Sequence, residues 1–221
     1  MKRSRWTSDL HWVRPIQQDR SRKTQSALLD AAERLIGERG VEATTVADIA
    51  DAANCSIGAF YHHYRDKKAV QYALFERYVD ELEQVAQRST DPARWDGARI
   101  GDIVLGYLQV SVETNRERPG FKRAGDEIGR TEAEMQSHLD KVRTLVDQGV
   151  RDLLLARRDE IAHPDPELAV TLVVDQMASM LRSRLLESPL PTRMAVRTDD
   201  EFVAEVMRSV CAYLGVDEPT E

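Results

Sequence analysis

A chain of 221 residues with 42% hydrophobic and 31% charged side chains is long enough to bury a core and to divide into a small domain and a larger one. Its longest unbroken apolar runs, such as Leu153-Leu154-Leu155-Ala156, fall far short of a bilayer span, and the opening Met-Lys-Arg-Ser-Arg is not followed by the apolar stretch of a secretory signal, so a cytoplasmic protein with no membrane partner is expected. The net charge of −7 is uneven: residues 1–70 carry +3, the first 23 alone carry +5, and the remainder carries −10, so only the N-terminal end suits a polyanion. Two cysteines, Cys55 and Cys211, exclude a disulfide framework, lack metal-ligand spacing and read as small fillers.

From Thr24 onward the apolar spacing is helical and no stretch alternates as paired strands do, which predicts an all-α fold. Leu28, Ala31, Ala32, Leu35 and Ile36 form one stripe of a first helix, expected from Thr24 to Arg39 and ended by Gly40 in the left-handed conformation. Thr45 is a good N-cap for a short second helix carrying Val46, Ile49 and Ala50; Ala53-Asn54-Cys55 then turn the chain, and Ser56 caps a third helix reaching His63. Asn54 falls where the turn needs positive φ, which asparagine tolerates better than most residues.

Asp66 and Lys67 open a long fourth helix that Ser89-Thr90-Asp91-Pro92 breaks. Further helices are expected from Gly97 to Asn115, from Phe121 to Gly129, and through Met135, Leu139, Val142, Val146, Gly149, Val150 and Leu153, closed by His163-Pro164. Pro166 sits in the first turn of a helix apolar on several sides, and a last helix carries Phe202, Val206, Val210 and Leu214 before a tail that reads as frayed. There is no internal repeat and no low-complexity segment.

A helix, a tight turn and a second helix next to a basic end have a physical use. A helix entering the major groove needs small or adaptable residues at its start, and Ile57, Gly58 and Ala59 are apolar or small, fitted to approach thymine methyl groups or to let the backbone come close. Tyr61, His62 and His63 offer donors for phosphates, and Lys67 stands at the start of the next helix, where its ammonium and the helix N–H groups would both attract one. Phe60 and Tyr64, four residues apart, read as core. His62 and His63 make a poor metal pair because adjacent helical side chains diverge.

Residues 24–69 resemble the DNA-binding domain of the TetR family, densely so through Leu28, Ala32, Leu35-Ile36, Gly40-Val41, Thr44-Thr45-Val46-Ala47-Asp48-Ile49-Ala50 and, most specifically, Ile57-Gly58-Ala59-Phe60-Tyr61-His62-His63-Tyr64-Arg65-Asp66-Lys67. Asn54 and Ala59 depart from the usual Gly and Thr or Ser; Ala59 removes a possible hydroxyl contact. The resemblance implies a DNA-binding domain at 24–69 behind a basic arm at 1–23, and a larger domain at 70–221 for ligand binding and dimerisation. It implies backbone contacts from Thr45, Tyr61, His63 and Lys67 and groove contacts from Ile57, Ala59 and His62, with Ser56 and Gly58 also among the expected DNA-binding residues. It further implies a homodimer on double-stranded operator DNA with an inverted repeat, joined through Val170, Val174, Met177, Leu181, Val206 and Val210, and an apolar or amphipathic small-molecule effector lined by Tyr78, Leu82, Tyr107, Val110 and Met135. The arm is expected to lie along phosphates or in a minor groove, the alternative being that Trp6, Trp12 and Val13 pack it on the body of the protein.

Two other functions are open to a chain of this pattern. A DNA-binding regulator without a small-molecule effector fits the same residues. A helical-bundle metalloenzyme would need paired Glu-x-x-His motifs, and Glu160-Ile161-Ala162-His163 is a single match at a helix end. With no Walker-type loop, no Gly-x-Ser-x-Gly and no nucleophile with its base, neither catalysis nor a cofactor or metal is expected.

Overall fold

The computed structural model describes residues 20–117, 133–185, 192–194 and 196–219. Among the described residues all regular structure is helical: α1 (Arg20–Arg39), α2 (Val46–Ala52), α3 (Ile57–His63), α4 (Lys67–Ser89), α5 (Ile100–Glu117), α6 (Ala133–Leu155), α7 (Pro166–Leu185) and α8 (Asp199–Leu214), with short 3-10 turns at Pro92–Trp95 and Arg158–Glu160. The basic residues 1–19 and the helix expected at 121–129 lie outside the described residues.

The chain forms two compact units whose boundary falls inside α4, after Glu83, and not at residue 69, and which change over again inside α6, after Lys141. The reason lies in α4 itself, whose Val70 and Leu74 bury into the first unit's core with Leu28, Ala32, Leu35 and Ile36 of α1, Ile49 of α2 and Phe60 and Tyr64 of α3. Each buried Val, Leu, Ile or Phe side chain among them contributes about 1.5–3 kcal/mol. A charged clamp joins the same two helices: Arg77 of α4 donates to Asp30 (2.8 Å) and Glu33 (2.7 Å) of α1, with Glu81 at 4.0 Å. α1 starts four residues earlier than expected, since nothing in Arg20-Ser21-Arg22-Lys23 breaks a helix. Gly40 ends it with φ at 85°, as the spacing anticipated.

The second unit is built on α5, α6, α7 and α8 around Trp95, Ile103, Leu108, Leu154, Val173 and Phe202. α5 begins at Ile100 and not at Gly97, because Gly97 has φ 71° and the Asp102 carboxylate caps the helix by accepting from the Arg99 N–H at 3.0 Å. α6 ends at Leu155, well before Pro164. Arg157 turns back there, its guanidinium donating to the carbonyls of Leu153 (2.9 Å), Ala98 (2.7 Å) and Trp95, so the end is made by contacts remote in sequence. The tail is not frayed as far as Pro219: Val216 packs on the core and Arg99 pairs with Asp217 at 3.1 Å. No helix among the described residues is long and apolar enough to cross a membrane.

Candidate nucleic-acid interface

The turn between α2 and α3 is set by three local devices. Thr45 caps α2 in a reciprocal box: its N–H donates to Asp48 Oδ2 (3.0 Å), its Oγ1 donates to the same oxygen (2.7 Å), and the Asp48 N–H donates back to Oγ1 (3.2 Å). These bonds, from the Thr45 side chain first and its backbone second, hold the Asp48 carboxyl below its ordinary range, and Arg39 adds a pair at 3.1 Å. Asn54 takes φ 53°, so that the Cys55 N–H reaches the Ala50 carbonyl at 2.9 Å. Ser56 Oγ then accepts from the Ala59 N–H at 3.1 Å and starts α3.

α3 has two faces. Phe60 and Tyr64 are buried, their rings 5.8 Å apart, and fix the helix to the core. Ile57, Gly58, Tyr61 and His62 are exposed on the other side, with Ala59 and His63 half-buried. Two large side chains on that side stand half in water: Ile57 is 50% and Tyr61 56% exposed. Ser56 Oγ only accepts in its cap, whereas the Thr45 hydroxyl donates to Asp48.

The start of α4 differs from expectation. Asp66 Oδ1 accepts from the Ala69 N–H at 2.8 Å, which lowers its carboxyl and places an anion where a phosphate had been expected. The helix terminus is therefore occupied by the chain itself. Lys67 Nζ donates to the Val41 carbonyl at 3.0 Å, one of the three donors of an ammonium, and remains half-buried at the rim.

In the second unit all six residues expected at a dimer interface, Val170, Val174, Met177, Leu181, Val206 and Val210, are buried in the chain's own core. This corrects the assignment: those side chains lie in the core that α7 and α8 share with α5 and α6, and none of the six is exposed to a partner. The exposed apolar residues of the same helices are Leu168 and Leu172 on α7 and Tyr213 on α8, with Gln176 and Ser209 hydrogen-bonded between them at 3.4 Å. Of the expected ligand-lining residues, Tyr78 and Leu82 belong to the first unit and Tyr107 and Val110 to the second, all half-buried; the Met135 side chain lies outside the described residues. Glu160 and His163 serve separate ends: Glu160 accepts from the Ile100 N–H (3.2 Å) and the His163 ring lies 5.1 Å from that of Tyr213. Cys211 is buried, which pushes its thiol up to about 11.

Tyr107 on α5 and Asp147 on α6 form a hydrogen-bonded pair that the apolar spacing did not single out. Burial raises the Asp147 carboxyl above its ordinary value; Arg182 pulls it down, Asp175 pushes it further up, and the Tyr107 bond and Arg143 favour the charged form. The Tyr107 phenol is raised by burial and by the charge of Asp147. The signal was present in sequence: Asp147 lies three and seven residues before Val150 and Leu154, on the buried stripe of α6. Because the folded chain holds this proton more tightly than the unfolded chain, stability falls as pH rises from the ordinary aspartate range through the raised value. Asp147→Asn is therefore expected to raise Tm at pH 7, with the gain shrinking as pH falls into the carboxylate range. A Tm lowered equally at every pH in a series of melts would show that the charge is a net favourable partner of Arg182.

Comparison with known proteins agrees with this architecture. Residues 28–74 match the family model of bacterial regulatory proteins of the tetR family, and residues 103–214 match that of the tetracyclin repressor-like C-terminal domain, which is half of the chain. The HTH-type transcriptional repressor KstR2 of Rhodococcus jostii is 43% identical over 58 residues, which make up 26% of this chain and 28% of that protein, so the match spans well under two thirds of that relative. A bacterial regulatory protein in the tetR family from Rhodococcus RHA1 superposes with a TM-score of 0.58 at 17% identity, over 89% of this chain and 99% of that one. The SmeT–triclosan complex does so with a TM-score of 0.54 at 20% identity, over 90% and 99%. At such identities the two structures speak for the fold alone, but the two family models, placed end to end on the head and the helical body, carry more: the chain belongs to the tetR family of bacterial regulatory proteins, helix-turn-helix regulators of transcription.

Proposed function

We propose that the protein is a repressor that binds an inverted-repeat operator as a homodimer and is released by an apolar or amphipathic small molecule. The observation that carries the DNA-binding part is the division of α3: Phe60 and Tyr64 lock it to the core while Ile57, Gly58, Tyr61 and His62 face outward, beside the Ser56 hydroxyl and Lys67. A helix clamped on one side and bare on the other is what entry into a major groove requires. Two-fold symmetry supports the inverted repeat, since each subunit then presents one α3 to one half-site roughly 34 Å from the next. The outward residues Leu168, Leu172 and Tyr213 are the proposed contact between copies. The small-molecule part is supported by the Tyr107–Asp147 pair, polar groups placed beside the apolar core of the second unit, and by the triclosan in the SmeT complex.

Selection of bound sequences from random duplex DNA tests the proposal. Enrichment of an inverted repeat is expected; enrichment of a lone, asymmetric site would remove the dimeric reading. Lys67 is proposed to hold a phosphate with the donors it does not give to Val41. Lys67→Ala is then expected to weaken binding alike on all sequences and to reduce the slope of log affinity against log salt by about one unit. A changed sequence preference with an unchanged slope would rule that role out.

A further inference from the structure

We infer that α3 reads its operator chiefly through the 5-methyl groups of thymine, with Ile57 as the specificity-determining side chain and Gly58 as the gap that lets a base-pair edge approach the helix. The inference rests on the reading of α3 as the helix that enters the major groove, and it names the chemistry recognised there. The sequence of α3, Ile-Gly-Ala-Phe-Tyr-His-His, holds no Arg, Lys, Asn or Gln, the side chains whose paired donors and acceptors single out guanine or adenine. Phe60 is consumed by the core.

What α3 does present is apolar. Ile57 is half exposed in its first turn and belongs to neither hydrophobic core. Gly58 follows it with an ordinary helical φ, and a Cβ built there would meet only Ser56 Oγ, at 3.7 Å. The chain's own packing therefore does not ask for glycine, and alanine would suit the helix better. A missing side chain beside an exposed isoleucine leaves a ridge and a notch on the outer face, and the Tyr61 ring, one turn on and set edge-on to Phe60 at 5.4 Å, continues that face. Ser56 and His62, at the two ends of this stretch, are exposed as well, which suits a polyanion with an apolar feature between its polar groups. In the major groove the one apolar feature of a base edge is the thymine methyl.

The test uses the duplex recovered by selection, with deoxyuridine replacing thymine one position at a time in both half-sites, so that only methyl groups are lost. At one position per half-site the full-length wild-type protein is expected to lose about fourfold in affinity for each methyl, and so about fifteenfold for the pair. Ile57→Ala should bind the thymine duplex more weakly but respond to the same deoxyuridine by less than twofold, and Ile57→Val should fall between. Gly58→Ala should lose affinity while its Tm holds or rises. Wild-type affinity unchanged at every thymine, or an Ile57→Ala protein as sensitive to methyl loss as the wild type, would overturn the inference while leaving DNA binding intact. Failure to enrich any duplex would overturn both.

Discussion

Leu172→Asp is expected to yield a folded monomer that has lost at least a hundredfold in operator affinity, whereas Val174→Asp, two residues along the same helix, unfolds the protein. Leu172 is 48% exposed and Val174 6%, because α7 turns about 200° between them and only Val174 enters the packing with α8. A carboxylate at Val174 would be buried in the apolar core of the second unit, at a cost of several kcal/mol against a total stability of roughly 5–15 kcal/mol. A carboxylate at Leu172 stays in water in the monomer. In a two-fold dimer that buries Leu168 and Leu172 it would appear twice, desolvated and close to its own copy. Light scattering with circular dichroism separates the outcomes. A Leu172→Asp protein that remains dimeric and binds at full strength would place the interface elsewhere.

The contrast between these neighbours also marks how far sequence alone reached. Helix existence, the Thr45 and Ser56 caps, the left-handed Gly40 and the positive φ of Asn54 were legible because each is decided within four or five residues by backbone geometry and a nearby hydroxyl. The buried roles of Phe60 and Tyr64 followed from their spacing. The direction of α7 was not legible, since Leu168, Val170, Leu172 and Val174 are equally apolar and only packing against α8 chooses among them. The end of α6 escaped for a related reason: Arg157 ends it by reaching carbonyls about 60 residues away. At the interface, Lys67 could be placed at the start of α4, but its bond to Val41, 26 residues back, depends on how the loop after α1 folds over, whereas the Asp66 cap on the Ala69 N–H is decided within three residues. Asp147 was passed over because a charge in an amphipathic helix is ordinarily solvated, and its place on the buried stripe matters only once α5 and α7 close around it.

Gly149→Ala is expected to destabilise the protein by about 2 kcal/mol, against the sign that helix propensity alone would give. Gly149 lies in the interior of α6, where alanine is favoured over glycine by roughly 1 kcal/mol and no left-handed backbone calls for the smaller residue. A Cβ there would, however, stand 2.5 Å from Thr90 Cβ and 2.6 Å from its Cγ2, well inside van der Waals contact. Thr90 cannot swing away cheaply. Its N–H and its Oγ1 both donate to the Ala86 carbonyl, at 3.0 and 2.9 Å, closing α4, and the clash is with the branch atom itself, so the backbone following α4 must move. Overpacking of this kind costs typically 1–3 kcal/mol or more, enough to exceed the propensity gain. The expected loss corresponds to a fall in Tm of about 4–8 °C for a chain of this size. Thr90→Gly removes the obstructing atoms, so in the double variant the alanine should become neutral or favourable, a coupling that a thermodynamic cycle measures directly. If the single Gly149→Ala variant melts higher than the wild type, the close seating of α6 against the end of α4 is refuted.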